Sequence, residues 1–172
     1  METILLPFSE FDDSNTKKYP VAHEYKVEAI ALRDCPVNQS DSPCDTPERA
    51  VAYWRLHIAS HAHFDSEKEM LVALFLNSKM RVKGHTVVGI GTLDSVLTMP
   101  REIFRCAIVI AARRILIMHN HPSGDPSPSE SDIKMTRDLI RAGNLLKIEL
   151  VDHVIVGDPD HVSLRDQGYF YA

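Results

Sequence analysis

His119-Asn120-His121-Pro122-Ser123-Gly124-Asp125-Pro126-Ser127-Pro128-Ser129-Glu130-Ser131-Asp132 is the stretch on which the reading of the chain turns. The apolar run Ile115-Leu116-Ile117-Met118 leads into it and predicts a short buried strand. A helical pattern from Ile133 to Ala142 follows it. In an extended chain, side chains at i and i+2 project to the same side, so His119 and His121 aim at one point while Asn120 turns away. Pro122, Pro126 and Pro128 limit the freedom of the loop. Ser129 reads as an N-cap, which puts Asp132 on the first turn of the next helix. Two imidazoles and a carboxylate supply three protein ligands, and a catalytic zinc site keeps its fourth position for water. The stretch therefore predicts a metal site with an open coordination position. Nitrogen and oxygen ligands without thiolate suit zinc, with manganese and iron as alternatives.

Working outward, Pro100 opens a helix whose Ile103, Phe104, Ala107, Ile108 and Ala111 form a broad apolar face. Before it, Met70 to Leu76 is an apolar run suited to a central strand buried on both faces. Asn77-Ser78-Lys79 turns the chain, and Met80 to Lys83 pairs back as a hairpin. Gly84, Gly89 and Gly91 mark a flexible region through Thr92, which lacks the spacing of a phosphate loop. Thr46-Pro47 starts a helix with Val51, Trp54 and Ile58 facing inward. His57 and His61 are spaced i,i+4 near His63 and Asp65, but Ile58 stands where a helical zinc protease carries Glu. A solvated helix end is the preferred reading there.

Downstream, Ile133, Thr136, Leu139 and Ile140 give the third helix an inward face, and Gly143 reads as its C′ glycine. Lys134, Arg137 and Arg141 form a basic stripe, by default a solvated face. Lys147–Val151, His153–Val156 and Val162–Leu164 read as closing strands. At the other end, residues 1–20 show no sustained period and read as an arm. Tyr25 to Ala29 alternates and predicts an edge strand, and residues 34–45 read as a loop or linker. The predicted organisation is an N-terminal arm over 1–45 and one domain over 46–172.

A chain of 172 residues with 44% apolar content can build one good core. Its net charge of -5 argues against broad nonspecific nucleic-acid binding, which needs a basic excess. No apolar run approaches the roughly 20 residues of a membrane span, and Met1-Glu2-Thr3 with the short run Ile4 to Phe8 does not make a signal peptide. Cys35, Cys44 and Cys106 form no C-x-x-C pair, and a reducing cytoplasm is the simpler reading, with a Cys35–Cys44 bridge as the alternative.

Metal alone does not hydrolyse a bond, because a base must take the proton from water. Glu67, Glu69 and Glu102 are the candidates, and spacing does not choose among them. His153 reads either as a donor to a ligand or as a satisfied core histidine, with the core reading preferred.

The motif His-x-His-Pro, with Ser129 and Asp132 at their offsets, resembles that of the JAMM (MPN+) metalloproteases. The fuller wording His-Asn-His-Pro-Ser-Gly-Asp-Pro, together with Pro100 to Arg105 and Asp152 to Gly157, is similar to the RadC branch of that superfamily. The resemblance covers Thr46 to Gly168. It implies an α/β fold of the MPN/JAMM, cytidine-deaminase-like kind, a mixed sheet flanked by helices. It also implies a Zn2+-dependent hydrolase of peptide, isopeptide or other amide bonds, with a protein or peptide as substrate. His119, His121 and Asp132 fall on its metal ligands, Glu69 on its catalytic glutamate, and Ser129 on the serine that donates to the oxyanion. The RadC name carries a DNA-repair association, so a role on nucleic acid is the runner-up; a metal-binding interaction module without catalysis is the third reading. Longer RadC-like proteins carry a helix-hairpin-helix-like region ahead of this domain, and residues 1–45 show none.

Overall fold

Met70–Leu76 (β1) carries seven consecutive buried apolar side chains, and the sheet assembles on its two edges. The computed structural model describes residues 24–36, 43–62, 64–91 and 99–171. Val82–Ile90 (β2) lies antiparallel along one edge of β1, and Arg114–Asn120 (β3) antiparallel along the other. Glu149–Val156 (β4) runs parallel to β3, and His161–Ser163 (β5) closes antiparallel on β4. The order β2-β1-β3-β4-β5 makes one mixed sheet. Its flanking helices are Pro47–His57 (α1), Pro100–Val109 (α2) and Glu130–Leu146 (α3). This is the α/β architecture expected, and it is consistent with the MPN/JAMM fold.

Alternation along β1 divides the core into two layers. Met70, Val72, Leu74 and Leu76 pack with Val51, Tyr53, Trp54 and Ile58 around α1. Leu71, Ala73 and Phe75 pack with Ile103, Phe104, Ala107 and Leu139 of α2 and α3. Each buried aliphatic or aromatic side chain contributes roughly 1.5–3 kcal/mol. The start of α1 matches its sequence: Pro47 occupies the first turn, and Thr46 Oγ1 accepts from the Arg49 N–H at 3.4 Å. That bond is too long to add much, so packing of Trp54 and Val51 holds the helix.

Several expectations are corrected. Residues 24–30 form no strand; Tyr25 and Val27 are both exposed, so the alternation there does not separate a buried face from a solvated one. Residues 1–23 lie outside the described residues. Gly84 and Gly89 are not in a flexible region but in β2, opposite Phe75 and Leu71, because the ladder to β1 overrides their low strand propensity. The α2 face is narrower than its sequence suggests, since Ile108 is 56% exposed and Ala111 lies beyond the helix. One continuous strand, β4, replaces the two closing strands. Gly143 is inside α3, which runs on to a left-handed C-cap at Lys147.

The end of α1 is not a solvated one. His57 is buried against the Tyr53 ring at 4.7 Å, and Arg33 Nη2 donates to its carbonyl at 2.5 Å. His63 lies outside the described residues. The basic stripe of α3 is largely paired within the fold. Arg137 donates to Tyr171 Oη at 2.7 Å and Arg141 bridges to Asp138 at 3.4 Å. All three cysteines are free thiols, and Cys44 belongs to the core. No helix among the described residues is long and apolar enough to cross a membrane.

Candidate metal centre

His119 is the penultimate residue of β3, and His121 follows the strand end by one residue. Their Nε2 atoms stand 3.0 Å apart. Asp132, on the first turn of α3, brings Oδ1 to 3.3 Å from His119 Nε2 and Oδ2 to 3.6 Å from His121 Nε2. Among the described residues this is the one group of three or more His, Cys, Asp or Glu side chains whose ligand atoms converge. The β3–α3–β4 crossover makes that possible, because it starts the helix beside the strand end that carries the histidines.

The hydrogen bonds fix which atoms are bare. Thr136 Oγ1 donates to the Asp132 carbonyl at 2.7 Å, which uses its only proton. It must then accept from the His153 Nδ1–H, 2.7 Å away. His153 Nε2 is therefore unprotonated and accepts from the His119 Nδ1–H at 2.9 Å, which leaves a lone pair on His119 Nε2. His121 is fixed separately. Its Nδ1–H donates to the Asp125 carbonyl at 2.7 Å and its backbone N–H to the Val156 carbonyl at 3.0 Å, so its Nε2 also faces inward bare.

Asp132 is held by its own helix start. Ser129 N–H and Ser129 Oγ–H both donate to Asp132 Oδ2, at 2.8 and 2.6 Å, while Asp132 N–H donates back to Ser129 Oγ at 3.2 Å. This capping box saturates Oδ2 and leaves Oδ1, fully buried, with no hydrogen-bond partner. Two imidazole lone pairs at 3.0 Å and an orphaned carboxylate oxygen repel one another unless a cation lies between them. Ligand atoms of a tetrahedral zinc, with bonds of about 2.0–2.1 Å, stand about 3.3 Å apart. His119 Nε2 stands 3.0 Å from His121 Nε2 and 3.3 Å from Asp132 Oδ1, close to that spacing, so the residues fit a metal ion.

The titration of the metal-free cluster follows from the same contacts. Burial, reinforced by His153, pushes His119 well below its ordinary value and keeps it neutral. The Asp132 carboxylate, the Asp125 carbonyl and the charge of Glu69 raise His121 despite its partial burial. Burial favours the neutral form of Asp132, but the neighbouring His121 and His119 imidazoles and the Ser129 hydrogen bonds outweigh it and hold the carboxyl well below the usual carboxylate range. Full burial lowers His153 to about 4.

Glu69 immediately precedes β1 and is half-buried. Leu71 stands opposite His119 in the β1–β3 ladder, so the same register continued by two residues sets Glu69 opposite His121. The other two carboxylates have different surroundings. Glu102 pairs with Arg101 and Arg105 on α2, and Glu67 lies exposed in the turn closed by Asp65. His153 is buried, as preferred from sequence, but also bonded to His119. The sequence marks Thr136 only as an inward-facing position. Its spacing of four residues from Asp132 on the buried face of α3 was the available signal.

A family model described as "RadC-like JAB domain" matches residues 44–169. Curated relatives named "UPF0758 protein" include one from Chlorobaculum parvum, 52% identical over 102 residues, covering 59% of this chain and 46% of the relative. A relative from Staphylococcus carnosus is 42% identical over 125 residues, covering 73% of this chain and 53% of its own length. One from Methanosarcina mazei is 42% identical over 105 residues, 61% of this chain and 46% of the relative. The chain thus spans about half the length of the curated relatives it matches.

Proposed function

The chain belongs to the RadC-like JAB domain family, and from that premise we propose that it is a zinc-dependent hydrolase of amide bonds, acting on a peptide or isopeptide link in a protein or peptide substrate. The observation that carries the proposal is the orphaned Asp132 Oδ1 beside two bare imidazole nitrogens, with the charge of the half-buried Glu69 acting on His121. His119, His121 and Asp132 hold the metal. When bound there, zinc would supply Lewis acidity toward a carbonyl and toward water. Glu69 accepts the proton of the attacking water and passes it to the leaving amine. Ser129 becomes the oxyanion donor by turning its hydroxyl proton from Asp132 Oδ2 to the substrate oxygen. Free thiols at Cys35, Cys44 and Cys106 suit a reducing cytoplasm.

The test is Glu69→Gln in zinc-loaded protein, assayed against peptide and isopeptide-linked substrates. Metal content stays at about one per chain, and turnover falls by ~10²-fold or more. Unchanged turnover removes Glu69 as the base. Full metal content in both His119→Ala and Asp132→Ala overturns the metal site itself.

A further inference from the structure

Asn120 stands between the two histidines, and alternation sends its side chain away from them. Its amide is bonded to backbone on a neighbouring segment rather than to another side chain. Oδ1 accepts from the Met70 N–H at 2.9 Å, and Nδ2 donates to the Lys68 carbonyl at 3.0 Å. Those two peptide groups flank Glu69.

The β1–β3 ladder runs from Leu76 opposite Arg114 to Leu71 opposite His119. In the next register position, Met70 opposite Asn120, the side-chain amide makes the connection that backbone groups make further along. A primary amide carries the donor and acceptor of a peptide group, so it can stand in for a ladder bond. It also inserts the length of a side chain between the two segments, at the end of the ladder, next to Glu69 and His121. On the other side, the Gly91 N–H donates to the Glu69 carbonyl at 2.9 Å. The peptide of Glu69 is thus held from β3 and from the end of β2, although residues 66–68 just before it are exposed turn.

We propose that Asn120 is the positioning residue for Glu69: its amide bridges the Lys68 carbonyl and the Met70 N–H, and so sets the gap between the Glu69 carboxylate and the metal ligands on β3. This rests on the reading of Glu69 as general base. The ligand histidines and their positioner share one tripeptide, so metal and base are referenced to a single rigid strand.

The experiment uses Co(II) as the probe, loaded into the wild-type chain, Glu69→Gln, Asn120→Leu and the double variant, with visible d–d spectra recorded for each. Amide exchange at Met70 reports whether the Asn120 bond is lost. The expected result is about one cobalt per chain throughout. Glu69→Gln shifts the bands, Asn120→Leu shifts them in the same sense, and the double variant shifts no further than Glu69→Gln alone. A wild-type spectrum in Asn120→Leu with fast Met70 exchange overturns the positioning role and leaves the proposed function standing. Additive shifts in the double variant also overturn it, because general loosening of the site would act independently of Glu69. An unchanged spectrum in Glu69→Gln takes the carboxylate out of the site and overturns both. If Asn120→Leu does not fold, Asn120→Asp, which keeps the acceptor for Met70 and loses the donor to Lys68, is judged by the same outcomes.

Discussion

His153 Nε2 lies 2.9 Å from His119 Nδ1, and the proton between them belongs to His119. That assignment is forced from the far end, where Thr136 spends its hydroxyl proton on the Asp132 carbonyl. The backbone of Asp132 thereby sets the tautomer of His119 through Thr136 and His153. Outer hydrogen bonds of this kind orient the imidazole and raise its basicity toward a metal.

Thr136→Val tests this chain of bonds. It keeps the side-chain shape and removes both the donor to Asp132 and the acceptor for His153. Zinc affinity of the purified protein, read by competition with a chromophoric chelator, should weaken by ~10- to 100-fold. Thr136→Ser should restore it. Equal affinity in Val and wild type would show that the His119 tautomer is fixed some other way.

Gly157 tests the loop that carries His121. A Cβ there would overlap the Gly124 carbonyl oxygen and stand 2.9 Å from Pro126 Cδ. The Asp158 N–H bonds that same carbonyl at 3.0 Å, so the loop cannot lift locally without losing it. Gly157→Ala should lower stability by roughly 1–3 kcal/mol through overpacking. It should also weaken metal binding, since Asp125 and His121 move with the loop. Denaturant unfolding and chelator competition on the same variant separate the two effects.

The convergence of His119, His121 and Asp132 was legible in the sequence because its information is local. Two histidines at strand spacing, a capping serine and an aspartate three residues later specify their geometry without help from the rest of the chain. Glu69 was not legible in that way. Its place opposite His121 depends on the register of β1 against β3, about fifty residues away, and only family resemblance singled it out. Register also explains the failures. Gly84 and Gly89 look like a flexible loop until β1 supplies a partner, and Tyr25 to Ala29 alternates like a strand although Tyr25 and Val27 both stay exposed. His153 looked like core, and its bond to His119 appears only once β4 lies parallel to β3.

Gly143 gives a prediction whose sign separates propensity from packing. In an exposed helix interior, Gly→Ala stabilises by about 1 kcal/mol. In α3 the added Cβ would collide with the Ile148 carbonyl oxygen and reach Phe104 Cζ at 3.4 Å. That carbonyl belongs to the residue whose N–H donates to the Gly143 carbonyl at 3.0 Å, so the chain turns back tightly here. Gly143→Ala should therefore destabilise the fold, by roughly 1–3 kcal/mol. A raised melting temperature would mean that the turn after α3 relaxes freely.

The last prediction is the pH dependence of stability in metal-free protein. His153 is wholly buried, and burial lowers it from its ordinary 6.5 to about 4. Between those values the unfolded chain binds a proton that the folded chain excludes. Stability is therefore complete above about pH 6.5 and falls as pH drops toward 4. At about 1.4 kcal/mol per pH unit, the loss attributable to His153 is on the order of 3 kcal/mol. His119, also lowered by burial, adds a loss in the same direction. His121 is raised, so its contribution is present at low pH and fades as pH rises through its folded value. Comparison of wild type with His153→Gln isolates the His153 share. The variant should be less stable at pH 7.5, where the Gln amide cannot reproduce both bonds. The difference should shrink steadily as urea unfolding is repeated down to pH 4.5. A gap that stays constant over that range would show that His153 does not carry the titration.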